Sequence, residues 1–295
     1  MEQRIQEFLD FLVTEKKFSA NTLAAYRNDL SQFHSFLAGL PNAPTAWGDV
    51  SQTMVTLFVT ELKERNYALA TIARKIAAVK SFFQFLSSAG IVPSNVTEAL
   101  ESPKVGKTLP RAISEEQVQR LLDQPARLAS PEGRRDRAML ELLYATGLRV
   151  SELVSLNVDD YSVEDAQVSC PGKTKDRKIA VNKSAQSALL EYLDDGRPPL
   201  VRHRNGEQAL FVNHRGERLT RQGVWLIIKL HARRAGIDVA ITPHTLRHSF
   251  AAHALQSSND VRSIQEILGH TSKASTQIYA QLTHARPARE GVAAQ

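Results

Sequence analysis

The chain has 295 residues, of which 42% are hydrophobic and 23% charged, a composition that suits a folded protein of two domains and excludes global disorder. No apolar run approaches the roughly 18 residues of a membrane-spanning helix, and the single cysteine, Cys170, excludes an internal disulfide framework and a cysteine-rich metal site. The net charge of +6 is concentrated in residues 171–235, where 14 Lys and Arg outnumber 6 Asp and Glu. This excess favours a nucleic-acid partner, although a solvated, arginine-rich surface would give the same count.

Residues 1–101 predict four amphipathic helices, which would form a small bundle. The first, in MEQRIQEFLDFL, carries charges among its apolar residues, so it is not a signal peptide and we expect a cytoplasmic protein. Ser19 suits the N-cap of the second helix, and the fourth is predicted to end before Gly90. The apolar residues at helical spacing are Ile5, Phe8, Leu9 and Leu12, then Leu23, Tyr26, Leu30, Phe33 and Leu37, then Met54, Leu57, Phe58 and Leu62, and finally Ile72, Ile76, Val79, Phe83 and Leu86.

A linker is predicted at residues 102–111. Their sequence, SPKVGKTLPR, combines prolines, a glycine and basic residues with little apolar periodicity. These features indicate an extended, positively charged connection between two domains.

The second domain, from residue 112 onward, is predicted to be mostly helical with one small sheet. Ser114 and Gln117 have the spacing of a capping box at the start of its first helix. Short β-branched segments on either side of the basic PGKTKDR (171–177) predict a β-hairpin with a basic tip. Further helices are predicted at about 134–146, 184–193, 220–235, 243–256, 260–268 and 274–282, and another begins near residue 150. The predicted strands lie at 166–170 and 178–181.

A helix beginning at Thr242 is predicted to place His244 and Arg247 on one face, near the positive end of the helix dipole. This arrangement could hold an anion, although His-x-x-Arg alone is more typical of an exposed polar face. His244 and His248 also have the spacing of metal ligands, but the HExxH pattern and a third ligand are absent, so no metal is expected. Taken singly, Arg149 could pair with Glu152, and Tyr279 could be a half-buried packing residue.

Together these segments resemble the tyrosine recombinases of the phage integrase family, and within them the Xer subfamily to which XerC and XerD belong. The resemblance rests on TGLRVSEL, HTLRHSFAAH and LGHTSKASTQIY, on the order and spacing of their charged residues, and on SANTLAAYRNDL near the N-terminus. It covers nearly the whole chain. It implies an N-terminal four-helix, SAM-like DNA-binding bundle at 1–101, a basic linker at 102–111 and a catalytic domain at 112–295.

The resemblance also implies a reaction and the residues that carry it. Tyr279 would attack a DNA phosphodiester and form a 3′-phosphotyrosyl enzyme, so that rejoining needs neither ATP nor a metal ion and no cofactor is expected. The implied catalytic residues are Arg149, Lys173, His244, Arg247, His270 and Tyr279. The hairpin tip is one residue shorter than the family pattern, so Lys175 remains an alternative to Lys173 as the general acid, and both lysines could instead contact only DNA phosphates.

The fourth helix of the bundle would enter the major groove of DNA, by the same resemblance. The apolar positions of this helix are expected to face the bundle, which would leave Arg74 and Lys75 beside Thr71 on another, exposed side. The residues proposed to contact DNA are Thr71, Arg74, Lys75 and Lys80, with Lys175 from the hairpin. The implied partners are a duplex recombination site and a septal DNA translocase. The chain would act on two paired sites as a tetramer, either a homotetramer or a heterotetramer with a second Xer-type recombinase. The implied role is chromosome dimer resolution through a Holliday junction at cell division. The alternatives are an integrase of a phage or mobile element and a DNA-binding protein without activity; the filled catalytic positions argue against the latter.

Overall fold

The computed structural model describes residues 1–103, 112–171, 176–204, 206–258 and 261–268. The chain divides into two compact units, Met1–Lys107 and Thr108–Gln295. The described residues are mainly helical, with a small antiparallel sheet in the second unit. This is the fold class that the sequence predicts. None of the helices in these ranges is both long enough and apolar enough to cross a membrane.

The first unit is a bundle of four helices around an aromatic core. Its helices are α1 (Glu2–Thr14), α2 (Ala20–Ala38), α3 (Gln52–Glu64) and α4 (Leu69–Ser88). The Ser19 side chain accepts a hydrogen bond from the backbone of Thr22, which confirms the predicted N-cap. Trp47, from the loop between α2 and α3, packs edge-on against Phe82 at a ring-centroid distance of 4.7 Å. The loop therefore contributes to the same core as the helices.

The second unit is built around one deeply buried helix. Its elements are α5 (Glu115–Ala126), α6 (Pro131–Thr146), α7 (Val150–Ser155), β1 (Tyr161–Ser162), β2 (Gln167–Cys170), β3 (Arg177–Ala180), α8 (Lys183–Glu191), α9 (Arg197–Val201), α10 (Arg221–Arg234), α11 (Pro243–Ser258) and α12 (Val261–Leu268). Helix α6 is buried on several faces because its Ala138, Met139, Leu140, Leu142 and Leu143 are all shielded from solvent. It contacts α5, α8 and α11. Side chains at the ends of α6 and α11 are thereby held in fixed relation to one another.

The sheet has the strand order β1-β2-β3, and each neighbouring pair is antiparallel. Val168 lies opposite Ile179, and both are buried in the core of the second unit. This pairing confirms the predicted hairpin, whose tip, residues 172–175, lies outside the described residues. The predicted helix at 274–282 also lies outside them.

Among the α-helices and strands in the described ranges, β1 and α9 were not predicted, and a residue predicted for the core, Leu57, is exposed. Strand β1 has two residues, too few for a recognisable alternation, and α9 contains Pro198 and Pro199, which argue against a helix in the sequence. Leu57 was expected in the core but has an exposed fraction of 49%. It neighbours Phe58 in sequence, and the narrow buried stripe of α3 includes only the latter.

Candidate active site and DNA-contact residues

Arg149 lies at a sharp junction between two helices. Helix α6 ends at Gly147, whose φ of +60° is a left-handed conformation and whose N–H donates a 3.0 Å hydrogen bond to Leu143. A Cβ atom at Gly147 would lie 2.5 Å from Cδ1 of Phe250, so the junction has no room for a side chain. Two residues later, Arg149 is the N-cap residue of α7. Its side chain remains 40% exposed.

The carboxylate of Glu152 orients Arg149. It accepts hydrogen bonds from the Arg149 backbone N–H at 2.7 Å and from Arg149 Nη1 at 3.0 Å. Burial would raise the pKa of this carboxyl, but hydrogen bonds from the Arg149 backbone and from Arg177, with the positive charges of both guanidiniums, outweigh it and hold the pKa below its usual value. Glu152 is therefore ionised at neutral pH. The sequence left open a pairing of Arg149 with Glu152, and the structure shows that this pair forms. The Arg149 side chain nevertheless stays partly exposed.

Arg247 links three helices. Thr242 caps α11 by accepting a 3.1 Å hydrogen bond from the backbone of Thr245, which confirms the predicted helix start one turn before Arg247. The Arg247 guanidinium is buried and donates hydrogen bonds to the carbonyls of Gly147 and Leu268, the latter at 2.5 Å. Arg247 therefore joins α11 to the end of α12 and to the junction that carries Arg149.

His244 and His248 of α11 occupy different environments. His244 is exposed, and its ring lies 6.3 Å from that of the half-buried His248. Burial, with the nearby charges of His244 and Arg247, lowers the pKa of His248 to about 4. His248 is therefore neutral at pH 7. Within the ranges described, no three His, Cys, Asp or Glu side chains are grouped so that they could hold a metal ion.

The remaining catalytic candidates, Lys173, His270 and Tyr279, lie outside the described residues, as does Lys175. The structure thus joins Arg149 and Arg247 through Gly147, and places His244 three residues from Arg247 on the same helix. Sequence reasoning did not identify Glu152 as a positioning residue or connect it with Arg177. The sequence feature that pointed to Glu152 was its spacing of three residues from Arg149.

The DNA-contact candidates on α4 differ in accessibility. Arg74 has a side-chain exposure of 44% and Thr71 is half-buried, but Lys75 is buried, with an exposed fraction of 3%. The expectation that Lys75 lies on an exposed side of α4 was wrong. Lys75 is three residues after Ile72 and four before Val79, both buried, so helical geometry places it on the inner side.

Lys80 also has an intramolecular partner. Its Nζ donates a 2.9 Å hydrogen bond to the carbonyl of Leu100, near the end of the first unit. The side chain therefore helps to fix the segment from which the chain leaves the bundle.

Comparison with known proteins gives the same family for both parts of the chain. Residues 111–286 match the phage integrase family, and residues 5–90 match the N-terminal SAM-like domain of phage integrases. A tyrosine recombinase XerC of Roseiflexus castenholzii is 52% identical over 286 residues, which are 96% of this chain and 90% of that protein. A tyrosine recombinase XerD of Oceanobacillus iheyensis is 42% identical, with 97% of this chain and 96% of that protein covered.

A solved structure shares the fold at lower identity. The XerH site-specific recombinase bound to a palindromic difH substrate matches with a TM-score of 0.73 and 22% identity, over 88% of this chain and 76% of that one.

Proposed function

The chain belongs to the phage integrase family and is a tyrosine recombinase of the Xer subfamily, and from this premise we propose the residues that carry its reaction. Tyr279 is the nucleophile. Its oxygen attacks a DNA phosphorus, the bond from phosphorus to the 5′-oxygen breaks, and a 3′-phosphotyrosyl enzyme forms with a free 5′-hydroxyl. The reverse attack by a 5′-hydroxyl of a partner strand rejoins DNA and releases Tyr279. Each step exchanges one phosphoester for another, so no external energy source enters.

Arg149, Arg247 and His244 are the proposed groups that stabilise the charge on the non-bridging phosphate oxygens, with His270 completing the set. Guanidiniums suit this role because they stay protonated and present several donors in one plane. The observation that carries the proposal is the hydrogen bond from Arg247 to the carbonyl of Gly147, two residues before Arg149. It holds the two arginine-bearing segments together before any substrate binds, as electrostatic preorganisation requires.

Lys173 is the proposed general acid that protonates the departing 5′-oxygen, and Lys175 is the alternative. A lysine can deliver a proton to this oxygen as negative charge develops on it. The strand that follows the hairpin tip begins at Arg177, whose Nη2 lies 2.8 Å from Glu152 and thus close to the Arg149 segment. This contact supports the proposal that a lysine of the hairpin tip acts in the same site as Arg149.

The proposed substrate is duplex DNA containing two recombination sites. We propose a division into a DNA-binding bundle at 1–101, a basic linker at 102–111 and a catalytic domain at 112–295, acting in the cytoplasm as a tetramer, either alone or with a second Xer-type recombinase. Thr71, Arg74, Lys80 and Lys175 are the proposed DNA contacts. Resolution of chromosome dimers at cell division, through a Holliday junction and under a septal DNA translocase, is the proposed biological role.

A nicked suicide substrate tests the reaction directly. When a nick lies close to the cleavage position, the short 5′-hydroxyl fragment diffuses away after cleavage and the protein stays covalently attached to DNA. The expected result is a denaturant-resistant complex whose protease-derived nucleopeptide contains Tyr279. Duplex binding without any covalent product would instead favour a DNA-binding protein without catalytic activity. Sequencing the captured DNA would identify the target site.

A further inference from the structure

The first unit contains a buried ionic cluster between α2 and α4, formed by Asp29, Gln32, Arg74 and Lys75. Asp29 is completely buried, and Lys75 has a side-chain exposure of only 4%. Lys75 Nζ donates hydrogen bonds to Asp29 Oδ1 at 2.9 Å and to Gln32 Oε1 at 2.5 Å. Arg74 Nη1 binds the other carboxylate oxygen, Oδ2, of Asp29.

Lys75 is committed to this cluster. A buried carboxylate is costly unless a cation and hydrogen bonds compensate it, and Lys75 supplies both for Asp29. The aromatic ring of Tyr67 lies over the ammonium, with its centroid 5.4 Å from Nζ, and the Tyr67 hydroxyl accepts a 3.3 Å hydrogen bond from Gln32. Moving Lys75 toward a DNA phosphate would break these contacts and leave Asp29 without its buried counter-ion. Lys75 is therefore an internal counter-ion.

Arg74 binds the same carboxylate as Lys75, but its side chain is not buried. Lys75 already neutralises Asp29, so the guanidinium of Arg74 adds one net positive charge at the edge of the cluster. Asp29 holds it through a single terminal nitrogen, while 44% of the side chain remains exposed. A guanidinium has five donors, so one can remain on Asp29 while others bind a second anion. Holding the side chain in one orientation beforehand reduces the entropy lost on binding.

We infer that Asp29 is a positioning residue for DNA binding: it orients Arg74 toward a backbone phosphate, while Lys75 serves as its buried counter-ion and contacts no DNA. The inference rests on the proposed function, because it takes duplex DNA as the ligand. Arg74 and Lys75 were both expected to contact DNA; by this inference only Arg74 does, while Lys75 neutralises Asp29.

The salt dependence of duplex binding separates a contact from a counter-ion. Each neutralised phosphate contributes about −0.9 to the slope of log K against log salt concentration. Arg74→Gln should make the slope of the full-length protein shallower by about that amount. Lys75→Met alone would leave the charge of Asp29 to cancel that of Arg74, so Lys75 is tested together with Asp29 in the charge-balanced pair Asp29→Asn with Lys75→Met, which should change the slope by less than about half as much. Arg4→Gln is the matched control, since Arg4 is also an exposed arginine paired with a carboxylate, Glu7, in the same unit. It should leave the slope unchanged.

The same charge-balanced pair also tests the positioning role of Asp29. Asp29→Asn combined with Lys75→Met removes the buried ion pair but keeps Arg74. At fixed salt, Arg74→Gln should weaken binding about tenfold in the wild-type background and less than about threefold in this neutral background. Circular dichroism and urea unfolding should show that each variant used is folded.

Two results would overturn the inference. One is a slope that changes as much for the charge-balanced pair, or for Arg4→Gln, as for Arg74→Gln. The other is an equal cost of Arg74→Gln in both backgrounds, which would show that Asp29 does not act through Arg74. Failure of the proposed function is a separate outcome, seen as normal duplex binding and a normal Arg74 effect without any covalent Tyr279–DNA product.

Discussion

Arg177, the first residue of β3, donates a 2.8 Å hydrogen bond from Nη2 to the carboxylate of Glu152 on α7. The same carboxylate binds both the backbone and the side chain of Arg149. One acidic side chain therefore connects the hairpin strand with the helix that begins at Arg149. Because its exposure is only 14%, solvent screens this connection weakly.

Replacing Glu152 with Gln should slow DNA cleavage without preventing duplex binding. The variant removes the negative charge that orients two guanidiniums, and hydrogen bonds to charged groups contribute about 1.5–3 kcal/mol, equivalent to roughly 10- to 150-fold in rate. The measurement is single-turnover formation of the covalent complex on a suicide substrate. Glu164→Gln is the control, since Glu164 is exposed in the turn between β1 and β2, and it should retain wild-type cleavage. An unchanged rate for Glu152→Gln would show that Arg149 needs no acidic partner.

Tyr279→Phe should abolish covalent complex formation while duplex affinity stays within about twofold of wild type. Only the nucleophilic oxygen is lost, and phosphate contacts supply most of the affinity. Tyr26→Phe is the control, because Tyr26 packs against the core of the first unit. It should cleave normally. Persistent cleavage by Tyr279→Phe would assign the nucleophile to another residue.

Lys173→Ala should greatly lower the rate of cleavage of normal DNA. The rate should be largely restored on DNA in which sulfur replaces the bridging 5′-oxygen. A thiolate leaves without protonation, so the general acid becomes unnecessary on this substrate. Parallel rate measurements on both substrates with Lys173→Ala and Lys175→Ala identify the acid. Rescue of Lys175→Ala alone would move the role to Lys175. Absence of rescue in both variants would exclude either lysine as general acid.

Local sequence patterns predicted the elements of this fold because their determinants lie a few residues apart. Ser114 and Gln117 form the predicted capping box, with hydrogen bonds of 3.2 and 3.0 Å. Helix α6 ends before Gly147, as predicted, and the structure shows this glycine in a left-handed conformation. Side-chain and backbone groups close in sequence satisfy one another in these motifs, so no knowledge of tertiary contacts is needed.

Tertiary pairing limited what could be predicted about the sites. The sequence contains no direct signal that Lys75 is paired with Asp29, 46 residues earlier, or that Lys80 binds the carbonyl of Leu100. Likewise, the contact of Arg247 with Gly147 spans 100 residues. A basic residue beside a buried stripe can be an exposed anion ligand or an internal counter-ion, and only the position of the partner distinguishes them.

Gly147→Ala should destabilise the second unit by about 2–4 kcal/mol, which combines the cost of a left-handed alanine with that of overpacking. The added Cβ would lie within 2.9 Å of both Phe250 and Leu268, and Leu268 carries the carbonyl bound by Arg247. Urea unfolding measures the loss. Gly236→Ala is the matched control: its φ is +63° but no atom lies within 4 Å of the added Cβ. It should cost only about 1 kcal/mol. Equal costs would show that the junction can rearrange.

His248 should make the folded protein less stable in mild acid. Its pKa falls from an ordinary value of 6.5 to about 4, mainly because the ring is half-buried and also because His244 and Arg247 lie nearby. Below about pH 6.5 the unfolded chain binds a proton at this position, whereas the folded chain remains unprotonated until about pH 4. The stability that His248 contributes is therefore fully present above about pH 6.5 and is lost as the pH falls toward 4.

His248→Gln removes this titration and should reduce the loss of stability on acidification. The measurement is the free energy of unfolding in urea at about pH 7 and about pH 5, for the wild-type protein and the variant, with the difference between the two pH values compared. His253 also has a pKa lowered by burial and remains in both proteins, so its contribution cancels in this comparison. A variant with the same pH dependence as wild type would show that His248 is protonated equally in the folded and unfolded states.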